Sequence, residues 1–148
     1  MKVREATVND VHEMHKLIVE LAVYEKAGEQ VELSSADLIA DGFGENPLFF
    51  AFVAEENQQV IGMALFYYKY STWKGKCLYL EDLVVSQAHR RKGVGAALFE
   101  RVQAKAKDEK VKRFEWQVLD WNEPAIEFYK KYAVHLEYDW LNCRIFNP

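Results

Sequence analysis

Glu81 and Asp82 stand inside an apolar run, Tyr79-Leu80-Glu81-Asp82-Leu83-Val84-Val85. A charge in such a strand needs a partner, because burying it alone is costly. Two neighbouring carboxylates suit a cationic ligand and could accept a proton from it. A few residues on, the chain reads Arg90-Arg91-Lys92-Gly93-Val94-Gly95-Ala96, which suits the opposite charge. Glycines let an anion approach the backbone, and the start of a helix offers free N–H groups and the positive end of its dipole. The turn is therefore predicted to cradle a diphosphate. Two other phosphate loops are excluded. A dinucleotide fingerprint needs a third glycine where Leu98 stands, and a Walker loop needs Lys-Ser/Thr where Ala96 and Ala97 stand. Taken alone, the turn also fits a plain helix start with solvated basic side chains.

The elements that position these groups follow from periodicity. Lys2–Ala6 is expected as a strand, and Thr7 and Asp10 as a capping box for a helix with Val11, Met14, Leu17, Ile18 and Leu21 on one face. Ser34 or Ser35 should cap a second helix ending at Gly42. Leu48–Ala54, Val60–Tyr70 and Cys77–Val85 read as three antiparallel strands. The basic turn then opens a helix over Gly93–Lys107, followed by a strand over Phe114–Leu119 that is parallel to the third. Asn122 should cap a last helix with Pro124 in its first turn, and a final strand is expected through Trp140 to Phe146. The expected fold is α/β or α+β, a mixed central sheet of about six or seven strands flanked by about four helices.

The chain has 148 residues, half of them hydrophobic, which fits one domain with a real core. A formal charge of −4 argues against nucleic acid as a partner. Cys77 and Cys143 form no CxxC pair, lie in apolar runs and are expected as buried free thiols. No apolar run is long enough to span a bilayer, and the first residues carry no signal core, so a cytoplasmic protein is expected. His12, His15, His89 and His135 lack metal-ligand spacing, so no metal site is expected. No Ser-His-Asp or Cys-His set can be assembled, which favours direct group transfer over a covalent intermediate on the protein.

Arg90-x-x-Gly93-x-Gly95 after an apolar strand resembles the acetyl-CoA motif of the GNAT acetyltransferases. Trp121-Asn122-Glu123-Pro124-Ala125 with Phe128-Tyr129 resembles that superfamily's downstream Asn…Tyr element. YEKAGEQV from Tyr24, DGFGENP from Asp41, YSTWKGK from Tyr70, YLED from Tyr79 and VLDWNEP from Val118 resemble the diamine (spermidine/spermine) and thialysine acetyltransferases, with STWKGK and VLDWN leaning to the thialysine branch. These blocks span nearly the whole chain, so a single acetyltransferase domain over 1–148 is implied.

The resemblance implies roles, residue by residue. The arm of acetyl-CoA would pair with the backbone of Leu83, Val84 and Val85, and its diphosphate would lie on Arg90, Arg91, Lys92, Gly93, Val94, Gly95 and Ala96. Asn122, Glu123, Pro124 and Ala125 would continue that contact. Tyr129 would give a proton to the departing thiolate. Glu81, with Asp82, would meet the amine, and Tyr24, Glu25, Trp116 and Gln117 would help bind it. A homodimer is implied as well. The implied activity is acetyl transfer to a primary amine of a small cationic substrate, a diamine, polyamine or thialysine-like amino acid. A protein or peptide acetyltransferase and an inactive acyl-CoA-binding module are the alternatives. The chain departs from the pattern at Ala133, where glycine is usual, and in the short segment after it, which leaves Glu137 and Asp139 both eligible for a last acidic contact.

Elementary geometry adds one demand. An alkylamine is mostly ammonium near neutrality and must lose a proton before it attacks. Successive residues of a regular strand face opposite ways, so Glu81 and Asp82 can serve one amine only if the strand carries a β-bulge.

Overall fold

The computed structural model describes all residues, 1–148. They group into two compact units, Met1–Gln117 and Val118–Pro148.

The first unit is built on a five-stranded sheet. In chain order its elements are β1 (Lys2–Glu5), α1 (Val11–Tyr24), α2 (Ser35–Gly42), β2 (Phe50–Glu56), β3 (Gln59–Ser71), β4 (Gly75–Val85), α3 (Val94–Asp108) and β5 (Arg113–Glu115). The strands lie in the order β1-β2-β3-β4-β5. The first four run antiparallel to their neighbours, and β5 runs parallel to β4 after the α3 crossover. Thr7 and Asp10 form their capping box on a short 3-10 turn that leads into α1. Ser34 caps α2, its hydroxyl accepting from the Asp37 amide at 3.2 Å.

Alternation along the strands splits the core in two. One face buries Met14 and Leu17 of α1 against Ala51, Val53, Met63, Leu65 and Val84. The other turns Phe52, Phe66, Leu78 and Leu80 toward the side where α3 buries Leu98, Phe99 and Val102. Gly62 lets α3 come close. A side chain there would meet the Val84 carbonyl at 3.0 Å and Leu98 and Val94 of the helix at 3.1 and 3.3 Å.

The second unit holds α4 (Glu123–Lys130). Asn122 caps it as expected, its side-chain oxygen accepting from the Ala125 amide, and Pro124 sits in the first turn. Tyr129 is buried, and its ring meets Phe128 edge-on with centroids 5.3 Å apart. Ala133 takes a left-handed φ of 54°, so the residue standing where glycine is usual adopts the conformation glycine favours.

Four expectations need correction. The sheet has five strands rather than six or seven, and β5 covers only Arg113–Glu115 of the expected Phe114–Leu119. The segment through Trp140 to Phe146 forms no strand and is exposed throughout. Its aromatic and branched residues favour a pleated, half-buried surface, and no ladder receives them here. Cys77 is buried and Cys143 exposed, so only the first thiol is a core residue, and neither is in a disulfide.

Candidate active site

The sheet is irregular at the two acids. Leu65 pairs with Asp82 and Phe66 with Leu80, so Glu81 is the extra residue of a bulge in β4. Tyr79 faces the α1 side opposite Tyr67, and Asp82 faces the same side opposite Leu65. Glu81 joins them, because the Tyr67 hydroxyl donates to its Oε2 at 2.9 Å. The bulge thus delivers two successive carboxylates to one face, as the alternation argument required.

Glu25, just past the C-terminus of α1, completes the cluster. Burial pushes the half-buried Asp82 carboxyl up to about 7, and the charges of Glu81 and Glu25 push the same way. Burial, then Glu81, also raises Glu25. Tyr67 is raised too, by burial first and then by its bond to Glu81, so its hydroxyl stays a donor. Near neutral pH this patch is a set of crowded acids, and a cation placed among them would relieve the repulsion. Sequence reasoning passed over Tyr67. Counting back from the hairpin end, where Ser71 pairs with Gly75, sets Tyr67 against Tyr79, beside Glu81.

The opposite edge of β4 is open along the same stretch. β5 pairs only with Cys77, Leu78 and Tyr79, which leaves Leu80 to Val85 with no strand on that side. This free edge leads to the basic turn. Ala97 is the first amide of α3 to find a helical acceptor, the Gly93 carbonyl at 3.0 Å, so the amides of Val94, Gly95 and Ala96 are orphan donors at the helix start. Arg91 and Gly93 have left-handed φ values of 62° and 80°. Nothing lies within 4 Å of where a Gly93 side chain would begin, so the turn opens onto space that an anion could fill. The Arg91 and Lys92 side chains are exposed, whereas Arg90 is committed to the fold, its Nε donating to the Val85 carbonyl at 3.0 Å.

The two glycines are expected to respond oppositely to a methyl group. Gly93→Ala places alanine in the left-handed region and should cost about 1 kcal/mol. Gly95 is helical and its new methyl would meet only Val85 Cγ2, at 3.7 Å, so Gly95→Ala should add about 0.5–1 kcal/mol. Urea denaturation of both variants measures the contrast, and a shift of the same sign in both would contradict it.

Of the remaining expected residues, Tyr24 lies under the Arg90 guanidinium, 5.3 Å from ring centroid to Cζ. Trp116 is not brought to the acids. Its ring packs on Phe99 of α3 at 5.1 Å and on Phe114 at 5.0 Å, across the sheet from the α1 face. Gln117 is exposed just beyond β5. Asn122, Glu123, Pro124, Ala125 and Tyr129 belong to the second unit, and Glu137 and Asp139 lie exposed in its irregular segment. Ser86 Oγ sits 2.8 Å from His89 Nδ1, a local contact between residues three apart in the short turn after β4.

The sequence pattern of the acetyltransferase (GNAT) family matches residues 11–133, which crosses from the first unit into the second. A thialysine N-epsilon-acetyltransferase of Sus scrofa is 40% identical over 136 residues, covering 86% of this chain and 80% of that protein. The spermidine/spermine N(1)-acetyltransferase-like protein 1 of Homo sapiens is 38% identical over 135 residues, covering 86% of this chain and 19% of that longer protein. Among solved structures, an aminoglycoside acetyltransferase from an uncultured soil metagenomic sample superposes with a TM-score of 0.80 at 18% identity, covering 99% of this chain and 96% of that one, and so shares the fold. A sheet with an open central edge, an amide-lined turn at its end and a family match through both units lead to one assignment: the chain belongs to the GNAT family of acetyltransferases.

Proposed function

We propose that the protein transfers acetyl from acetyl-CoA to a primary amine of a small cationic substrate, of the diamine, polyamine or thialysine-like kind. The observation that carries this reading is the bulge at Glu81, which brings Glu81 and Asp82 to one face of β4, within reach of the charge of Glu25 at the end of α1, while the far edge of the strand is open. The ammonium group would enter the acids with Tyr24 and Glu25 at its side. Glu81 or Asp82 would take its proton, directly or through water, and the neutral nitrogen would then attack the thioester carbonyl. Backbone groups of Leu83, Val84 and Val85 are available to the pantetheine arm. Arg91, Lys92, Gly93, Val94, Gly95 and Ala96 offer their amides to the diphosphate, and Gly93 leaves room for it. Asn122, Glu123, Pro124 and Ala125 would extend that contact, and Tyr129 would protonate the thiolate as it leaves. Trp116 has its packing duty on Phe99 and is left out of the amine site. Gln117 keeps a substrate-binding role.

The family match across both units supports a single acetyltransferase domain over 1–148. Relatives named for thialysine and spermidine/spermine acetylation support the amine class. A homodimer would cover the exposed Tyr138, Trp140, Leu141, Ile145 and Phe146 of the last segment; sedimentation equilibrium reads the mass directly. Free thiols at Cys77 and Cys143 suit a reducing cytoplasm, and no helix is long and apolar enough to cross a membrane.

The decisive experiment measures thiol release from acetyl-CoA across spermidine, spermine, short diamines, thialysine, lysine and a panel of peptides. Turnover of a small dicationic amine is expected. Turnover of peptides alone would make the enzyme a protein acetyltransferase, and CoA binding without any acceptor would make it an acyl-CoA-binding module.

A further inference from the structure

We propose that Glu20, on α1, is a positioning residue that braces the diphosphate turn and ties it to the amine end of the same helix. The inference rests on the acetyl-CoA reading of the Arg90–Gly95 turn.

Glu20 lies one helical turn before Tyr24, so both present to the same side of α1. Its Oε1 accepts from the Gln87 amide at 2.8 Å, which satisfies a donor at the start of the short 3-10 turn linking β4 to the basic loop. The same oxygen meets Arg90 Nη2 at 3.4 Å. Arg90 closes the circuit twice. Its Nε donates to the carbonyl of Val85, the last residue of β4, and its guanidinium covers the Tyr24 ring. One carboxylate therefore fixes the end of the strand, the entry to the turn and the aromatic beside the acids.

The loop it braces carries two left-handed residues, Arg91 and Gly93. Such backbone persists only where its surroundings hold it. Arg90 is the residue immediately before that stretch. Without Glu20, the Arg90 side chain keeps one hydrogen bond, to Val85, and the Gln87 amide loses its acceptor. The amides of the turn would then have to be ordered when an anion binds, and that ordering weakens affinity.

Calorimetric titration with CoA tests this on the full chain. Glu20→Ala should weaken CoA binding about tenfold, and Glu20→Gln, whose amide oxygen can still accept from Gln87, about threefold. In an Arg90→Ala background Glu20→Ala should weaken binding only about threefold further, through the Gln87 amide, since the Arg90 branch of the circuit is already gone. A role confined to stability would lower the thermal midpoint and leave these affinities and their order untouched. Parent-like CoA affinity in Glu20→Ala, or additive losses in the double variant, would overturn the proposal. Should Glu20→Ala fail to fold, Glu20→Gln decides the matter instead: its threefold loss should disappear in an Arg90→Ala background, and a loss that persists there would equally overturn the proposal. If the parent itself takes up no CoA, the acetyl-CoA reading falls, and this inference with it.

Discussion

Asp82→Asn is expected to remove most turnover of a cationic amine at neutral pH while stabilising the folded chain there. The Asp82 carboxyl is raised by burial and by the charges of Glu81 and Glu25, to about 7 from 3.8. The sign follows from where protons sit. Between about pH 4 and about 7 the unfolded chain has released this proton while the folded chain still holds it, so the unfolded state binds fewer protons and stability falls as pH rises. Below that window both states are protonated and the penalty is absent. Above it the penalty is complete, at most ~4 kcal/mol and in practice about 1–2 kcal/mol after solvent and local relaxation share the charge. Asparagine removes it. Urea midpoints of parent and variant should therefore be close at about pH 4.5 and separate by about pH 8, with the variant the more stable. A gap that is constant with pH would mean that Asp82 titrates as an ordinary surface acid. Activity should move the other way. Loss of an ionisable group beside the ammonium should lower kcat/KM about a hundredfold, and the acidic limb of its pH profile near 7 should disappear.

Tyr129→Phe should lower kcat about a hundredfold with acetyl-CoA affinity within about twofold of the parent. Phenylalanine keeps the ring, so the packing against Phe128 survives and only the hydroxyl is lost. A proton donor to a leaving group acts in the transition state, and its removal is read in kcat rather than in ground-state binding. The loss should shrink with an acetyl thioester of a more acidic thiol, which leaves without help. Equal losses with both donors would remove Tyr129 from proton transfer, and unchanged turnover would remove it from the mechanism.

The strand–turn–helix at the centre of this site was legible because its parts are local. Apolar alternation ends at Val85, glycines follow, and helical spacing resumes at Val94, all within a few residues of one another. Even the bulge could be demanded in advance, since two adjacent acids cannot otherwise share a face. What escaped was set by contacts distant in sequence. Tyr67 reaches Glu81 across a hairpin, and Glu20 reaches Arg90 across most of the first unit. Trp116 was assigned to the amine by resemblance alone, and its ring packs on Phe99, distant in sequence, and on Phe114. The tail failed as a strand for a related reason. Tyr138, Trp140 and Ile145 have strand propensity, but propensity becomes structure only where an edge and a buried face receive it.

The bulge also works as a change of reading frame. Ahead of it the odd-numbered residues Cys77 and Tyr79 look toward α1, and beyond it the even-numbered Asp82 and Val84 do. Anyone redesigning substrate choice by stepping every second residue from Tyr79 would pass Glu81 and then alter Leu83 and Val85, which belong to the α3 side. Deleting Glu81 would leave that parity in place and remove one of the acids. Inserting a second residue beside it would also keep the parity, because side chains alternate every two residues, but it would place two extra residues against β3 or slide one end of β4 by two places. The strand thus tolerates changes of letter far better than changes of length at this one point, and diversification of the acid patch is confined to substitution.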